Sequence, residues 1–140
     1  MLVLLIVGAT SRDLINKHRR LQSYTAADFD LLLRLINASE IIVTPNILTE
    51  TSNLASQIGE PARARIAETF QRFVGTARES YIESRIAAEQ PAFPRLWLTD
   101  AAILAGMRDP TVLLTADLDL YLAALNQSRK AVNFHHLRQL

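Results

Sequence analysis

The chain has 140 residues, 49% of them hydrophobic and 21% charged, with no cysteine and a formal net charge of +1. This composition fits one globular domain spanning 1–140 and excludes intrinsic disorder, disulfide scaffolding and thiolate metal sites. The near-balanced charge excludes nucleic-acid binding driven by overall charge, so any such contact needs a local basic patch.

The first seven residues, Met1 to Val7, are all apolar and lead into Gly8. A membrane span needs about 20 apolar residues, and a signal peptide carries its basic residues ahead of the apolar run. Here the basic cluster Lys17-His18-Arg19-Arg20 comes after it. A cytoplasmic protein with no membrane partner is therefore expected. Residues 2–7 read as a buried strand or a short buried helix, and periodicity does not choose between them. Residues 11–20 are polar and helix-compatible. Thr25 is placed as the N-cap of a helix "AADFDLLLRLI", whose Phe29, Leu32, Leu33 and Ile36 share one face.

"EIIVTP" reads as a short strand ending at Pro45. Thr44 then supplies a capping hydroxyl and Pro45 the first helical position, with the helix expected to run to Gly59. A further helix is expected from Glu60-Pro61 through "ARARIAETFQRFV", with Ile66, Phe70 and Phe73 on one side. Residues 76–90 are expected to be helical until Pro91 and Pro94 interrupt. "LTDAAILAG" reads as a helix with Thr99 as cap and Asp100 in its first turn. "TVLLTAD" reads as a buried strand, "LDLYLAALNQS" as a helix and "AVNFHHL" as a last edge strand. Short, wholly apolar strands alternating with helices predict an α/β fold, specifically a three-layer α/β/α sandwich around a central parallel sheet.

In such sheets ligands collect at the carboxyl ends of the strands. Glu50, Asp100 and Asp117 fall just past strand ends or near helix starts, with Asn53, Thr115 and Asp119 flanking them. Carboxylates about 4 Å apart repel by roughly 4 kcal/mol at an effective dielectric near 20, so a cluster needs a proton or a hard cation. Mg²⁺ or Mn²⁺ suits a few carboxylates and bridges them to phosphate. Each residue also has a plainer reading. Glu50 fits a solvated helix glutamate, Asp100 an acid at the positive end of its helix, Asp117 an N-cap, and Asn53 a structural amide.

With these residues in place, "IIVTPNILTETSNL", "RLWLTDAAILAG" and "TVLLTADLDLYLAAL" resemble the PIN-domain family of metal-dependent ribonucleases, which includes VapC-type toxins. The resemblance covers roughly residues 1–135. It implies that Glu50, Asp100 and Asp117 hold Mg²⁺ or Mn²⁺ and carry catalysis, with Asn53, Thr115 and Asp119 in support. The implied substrate is single-stranded RNA, and the implied partners are an antitoxin protein or a second copy in a homodimer. The family usually opens with a strand ending in Asp-Thr-Asn, whose Asp is the first metal ligand. Here no Asp precedes Asp13, and "MLVLLIVG" is similar to the apolar stretch that follows that Asp. Either the first strand is truncated, or residues 2–7 serve as it and Asp13 approaches the site. Low activity is expected from the chain as it stands, and the alternative is a PIN-like module that binds RNA or protein without catalysis. Trp97 also departs from the family pattern, where a small residue is usual, and is expected to fill a gap.

RNA needs cations near the acids. The best local patch is Lys17, Arg19 and Arg20, with Arg63, Arg65, Arg72 and Arg78 as further candidates. Each of these also reads as an ordinary solvated side chain. His135 and His136, adjacent on a strand, would face opposite ways and are read as structural.

Overall fold

The apolar opening forms a helix, α1 (Leu2–Thr10), in a computed structural model that describes residues 1–140. The strand alternative for residues 2–7 is thereby removed. Val3, Leu4, Ile6 and Val7 are all buried, and a helix that is apolar all round belongs inside a protein. The chain forms two compact units, Met1–Ile42 with Leu48–Arg78, and Val43–Ile47 with Glu79–Leu140.

In the first unit α1 packs on α2 (Ala26–Ile36) and on the later helix Ala62–Thr76. Gly8 permits the first contact, because a Cβ built there would lie 2.3 Å from the Phe29 ring. The Thr10 and Thr69 hydroxyls, 2.7 Å apart, tie α1 to the later helix. Thr25 caps α2 as expected. Its Oγ1 accepts from the Asp28 N–H, and Asp28 Oδ2 accepts in return from the Thr25 N–H, a reciprocal capping box. Residues 11–20 form two 3-10 turns, Arg12–Lys17 and Arg19–Leu21, instead of one helix. His18 between them takes extended backbone (φ −84°, ψ 129°) and its side chain is fully buried.

The strand β1 (Ile42–Val43) leads into α3 (Pro45–Ala55), where Thr44 Oγ1 accepts from the Ile47 N–H at 3.2 Å. The helix stops at Ala55, short of Gly59. The helix Ala62–Thr76, α4, places Ile66 inside, with Phe70 and Phe73 half-buried beside it. The helix expected over 76–90 does not form. Ala77 turns extended (φ −71°, ψ 147°), and β2 (Arg78–Glu79) pairs with β1. Arg78 N–H donates to Ile41 O at 3.1 Å and Ser80 N–H to Val43 O at 2.8 Å. Donors and acceptors advance in the same direction, so the pair is parallel. Only α5 (Ser84–Ala87) remains of that expected helix.

The second unit is built on α6 (Phe93–Gly106), β3 (Leu113–Thr115), α7 (Leu118–Asn126) and β4 (Ala131–Asn133), followed by α8 (Phe134–Arg138). Strands β3 and β4 pair in parallel, Leu113 with Ala131, Leu114 with Val132 and Thr115 with Asn133, and α7 is their crossover. Leu96, Ala101, Leu104, Leu113, Leu120 and Ala124 form the core. The last strand ends at Asn133 because its Oδ1 accepts from the His135 N–H at 2.9 Å and so starts α8. His135 and His136 therefore sit on a helix, not on the two faces of a strand. The fold class is α/β, mostly helical, with strand pairing in two two-stranded sheets. No helix is long and apolar enough to cross a membrane.

Candidate functional site

Asp117 is the best-defined of the expected site residues. It follows β3 by two residues and is the N-cap of α7. Its Oδ1 accepts from the Leu120 N–H at 2.9 Å, while its own N–H donates to Thr115 Oγ1 at 3.0 Å. Thr115 is buried, so the turn is fixed from below by the strand and from above by the helix. Oδ2 of Asp117 makes no hydrogen bond to protein. The carboxylate is thus held by one oxygen and presents the other. Asp119 lies exposed in the first turn of α7.

Asp100 belongs to the same unit. Its helix differs from expectation at the start, because Trp97 takes φ 59°, ψ −170° and divides α6. Helical backbone resumes at Leu98, so Thr99 is not the cap. Asp100 is still in the first turn, as its third residue, and is half-buried. Trp97 does not fill a gap. It is 71% exposed, with its ring 6.2 Å from that of Phe93.

Glu50 and Asn53 belong to the first unit, both exposed and one turn apart on α3. Burial pushes the Met1 ammonium below the usual amino-terminal range, and the Glu50 carboxylate acts against that shift. The Asn53 side chain makes no hydrogen bond, and its backbone carbonyl accepts from the Ser56 hydroxyl at 3.0 Å. Within neither unit do three or more His, Asp or Glu side chains come together as a metal-holding group.

Lys17, Arg19 and Arg20 are exposed, as RNA contacts require. Arg20 Nε donates to Gln57 Oε1 at 2.7 Å, and Lys17 lines a surface groove of about 460 Å³ with Arg12, Asp13, Asn16 and Tyr24. Arg12 is paired with Asp30 at 2.8 Å. His18, in the middle of the basic run, is structural: Nε2 lies 2.9 Å from Ala55 O, and Nδ1 accepts from the Arg20 N–H at 3.1 Å. Arg63, Arg65 and Arg72 are exposed on α4, and Arg78 pairs with Glu40 at 3.2 Å. Asn133, passed over in the sequence, stands beside Thr115 at the carboxyl end of the β3–β4 pair and is buried. The sequence signal that marks it is a polar residue closing an apolar strand. No family model, characterised protein or solved structure matches the chain.

Proposed function

We propose that this chain is a PIN-like, metal-dependent endoribonuclease acting on single-stranded RNA, cytoplasmic and of the toxin type that an antitoxin silences. In this proposal the two strand pairs belong to one central parallel sheet of a three-layer α/β/α sandwich. One observation supports it most: Asp117 is fixed at the carboxyl end of a parallel strand with one carboxylate oxygen capping α7 and the other unengaged, the position where such folds bind ligands. Asp100 is carried in the first turn of the helical segment that resumes after Trp97, in the part of the chain, α6, that packs on α7, and the resemblance implies Glu50 as the third acid. Asn53 and Thr115 position ligands or water, and Lys17, Arg19 and Arg20 bind RNA phosphates.

Mg²⁺ or Mn²⁺, when bound, would supply an activated water and neutralise charge at the phosphodiester. The chain's own part is to hold carboxylates facing that charge and to bring the backbone of the RNA alongside them. Water adds to phosphorus and a ribose oxygen leaves with a proton. A hard cation that keeps its waters is served by one or two carboxylates plus substrate phosphate, so Asp100 and Asp117 have the right chemistry.

A second reading, a PIN-like module that binds RNA or protein without catalysis, is favoured by one observation: neither unit alone assembles three ligands. Labelled single-stranded RNA incubated with Mn²⁺ decides between them, with Asp100→Asn as control. Cleavage by the parent alone supports the nuclease. RNA retention without cleavage by either protein refutes it and supports the module.

A further inference from the structure

Trp97 is the single tryptophan of the chain, and the fold gives it neither burial nor relaxed backbone. The side chain is largely exposed. Its φ of 59° and ψ of −170° lie in a region that glycine occupies freely and that strains any residue with a Cβ. Packing offsets little of that strain: the ring meets that of Phe93 at 6.2 Å, tilted by 51°. Phe93 is itself half-buried against the core of the second unit, so this contact steadies the tryptophan without covering it. Strain held at an exposed aromatic side chain points to a task outside the fold.

The surroundings indicate the occupant. Leu96 is buried, while Pro94 and Arg95 are exposed. Arg95, two residues before the ring, makes no ion pair or hydrogen bond. It also lines a groove of about 550 Å³ with Leu122 and Asn126 of α7. Asp100 follows the ring by three residues, about 4.5 Å of helical rise. A planar apolar face beside an unpaired cation matches the two parts of a nucleotide, base and phosphate. A protein partner is served by a wide apolar patch with a polar rim. Of the large apolar residues next along the chain, only Leu98, 36% exposed, adds to the ring.

We propose that Trp97 stacks an unpaired base of single-stranded RNA while Arg95 holds an adjoining phosphate, which brings the strand alongside Asp100. The inference rests on the reading of the chain as one that binds RNA, with or without catalysis. Every base has a π face, so Trp97 contributes affinity and placement of the strand, not choice of sequence. The small residue that the family resemblance leads one to expect here offers no such face, so the contact is particular to this chain.

The ring is its own probe, because no other tryptophan contributes to the emission. The full chain is titrated with a short single-stranded RNA in EDTA, which stops cleavage. Trp97 emission is followed with unlabelled RNA, and affinity is read by anisotropy of a labelled copy. Emission should be quenched to saturation in step with binding, and inorganic polyphosphate should leave it unchanged. Trp97→Leu and Trp97→Gly should each weaken binding by about fivefold to a hundredfold, while Trp97→Phe retains most of it. Arg95→Gln should also weaken binding and flatten the slope of log affinity against log salt by about 0.7. The glycine variant separates this role from structural damage, since it relieves the backbone and should gain stability while losing RNA. RNA binding that leaves both the emission and the Trp97→Gly affinity unchanged overturns the inference and leaves the RNA reading standing. Equal quenching by polyphosphate overturns it too, since that ligand has no base to stack. A chain that binds no RNA, including one whose ring is shielded by a protein instead, overturns both. Quenching and loss of affinity without Mn²⁺-dependent cleavage support the inference and refute the nuclease alone.

Discussion

Replacing His18 with alanine should destabilise the first unit far more than any surface change in the same basic run. The ring is fully buried and uses both nitrogens, Nε2 toward Ala55 O at 2.9 Å and Nδ1 as acceptor from the Arg20 N–H at 3.1 Å. With Nδ1 accepting, the proton sits on Nε2, and Ala55 O receives it. Alanine leaves that carbonyl without its partner, a cost of about 1–3 kcal/mol. It also removes the acceptor that caps the 3-10 turn Arg19–Leu21, about 1 kcal/mol by analogy with helix caps, and it opens a cavity worth about another 1 kcal/mol. The sum, about 3–5 kcal/mol, is a large share of the roughly 5–15 kcal/mol that holds a domain together. Urea denaturation followed by circular dichroism reads it as a fall in midpoint of about 2 M, taking a slope near 2 kcal/mol per molar. His18→Asn keeps an acceptor at the Nδ1 position and should lose about 1 kcal/mol less than alanine. A His18→Ala loss under about 1 kcal/mol would refute this account, because the two hydrogen bonds would then contribute nothing net.

Gly8→Ala should lower the melting temperature, since its Cβ would meet the Phe29 ring at 2.3 Å. Overpacking of about 1–3 kcal/mol outweighs the roughly 1 kcal/mol gained in helix propensity, so a variant more stable than the parent would contradict the tight α1–α2 approach. Trp97→Gly should act in the opposite direction. A non-glycine residue at φ 59°, ψ −170° costs about 1–3 kcal/mol, and the exposed ring loses little beyond its contact with Phe93. Calorimetry should show a net gain of about 1 kcal/mol, with no gain for Trp97→Phe, and a less stable glycine variant would count against backbone strain there. Tyr81 donates to Glu79 Oε1 at 3.2 Å, and that carboxylate, through its charge and then its hydrogen bond, holds the phenol above its usual titration range. Glu79→Gln should therefore bring phenolate formation to lower pH in an ultraviolet titration; an unmoved curve would separate the two groups in solution.

What the sequence revealed follows from how far each interaction reaches along the chain. The Thr25–Asp28 box, the Thr44–Pro45 start and the Asp117 cap are each satisfied within three residues, so residue type and spacing expose them. The α7 crossover was legible for a related reason: a short apolar strand, a cap and an apolar helix occur in immediate succession. The failures depend on partners far away. His18 is drawn inward by a carbonyl 37 residues on, which splits an otherwise helix-compatible run into two 3-10 turns. Arg78 leaves its helical neighbourhood to pair with Ile41, also 37 residues distant, and tertiary pairing overrides local preference there. Leu2–Thr10 defeats periodicity for the opposite reason, since a segment buried all round has no polar face to mark its period.

The same distinction applies to the candidate site. The setting of each acid on its own element was readable, including the first-turn position of Asp100, even though the start of its helix was misplaced by the backbone turn at Trp97. Assembly of the acids is a long-range property that no local signal encodes. The functional test accordingly rests on Asp100, which sits in the same unit as Asp117. If Asp100→Asn abolishes Mn²⁺-dependent cleavage while leaving the urea midpoint unchanged, the carboxylate acts in chemistry and not as a helix-terminal charge. If the midpoint falls with the activity, the helix-dipole role proposed for such an acid accounts for the loss, and the carboxylate need not touch the reacting phosphate.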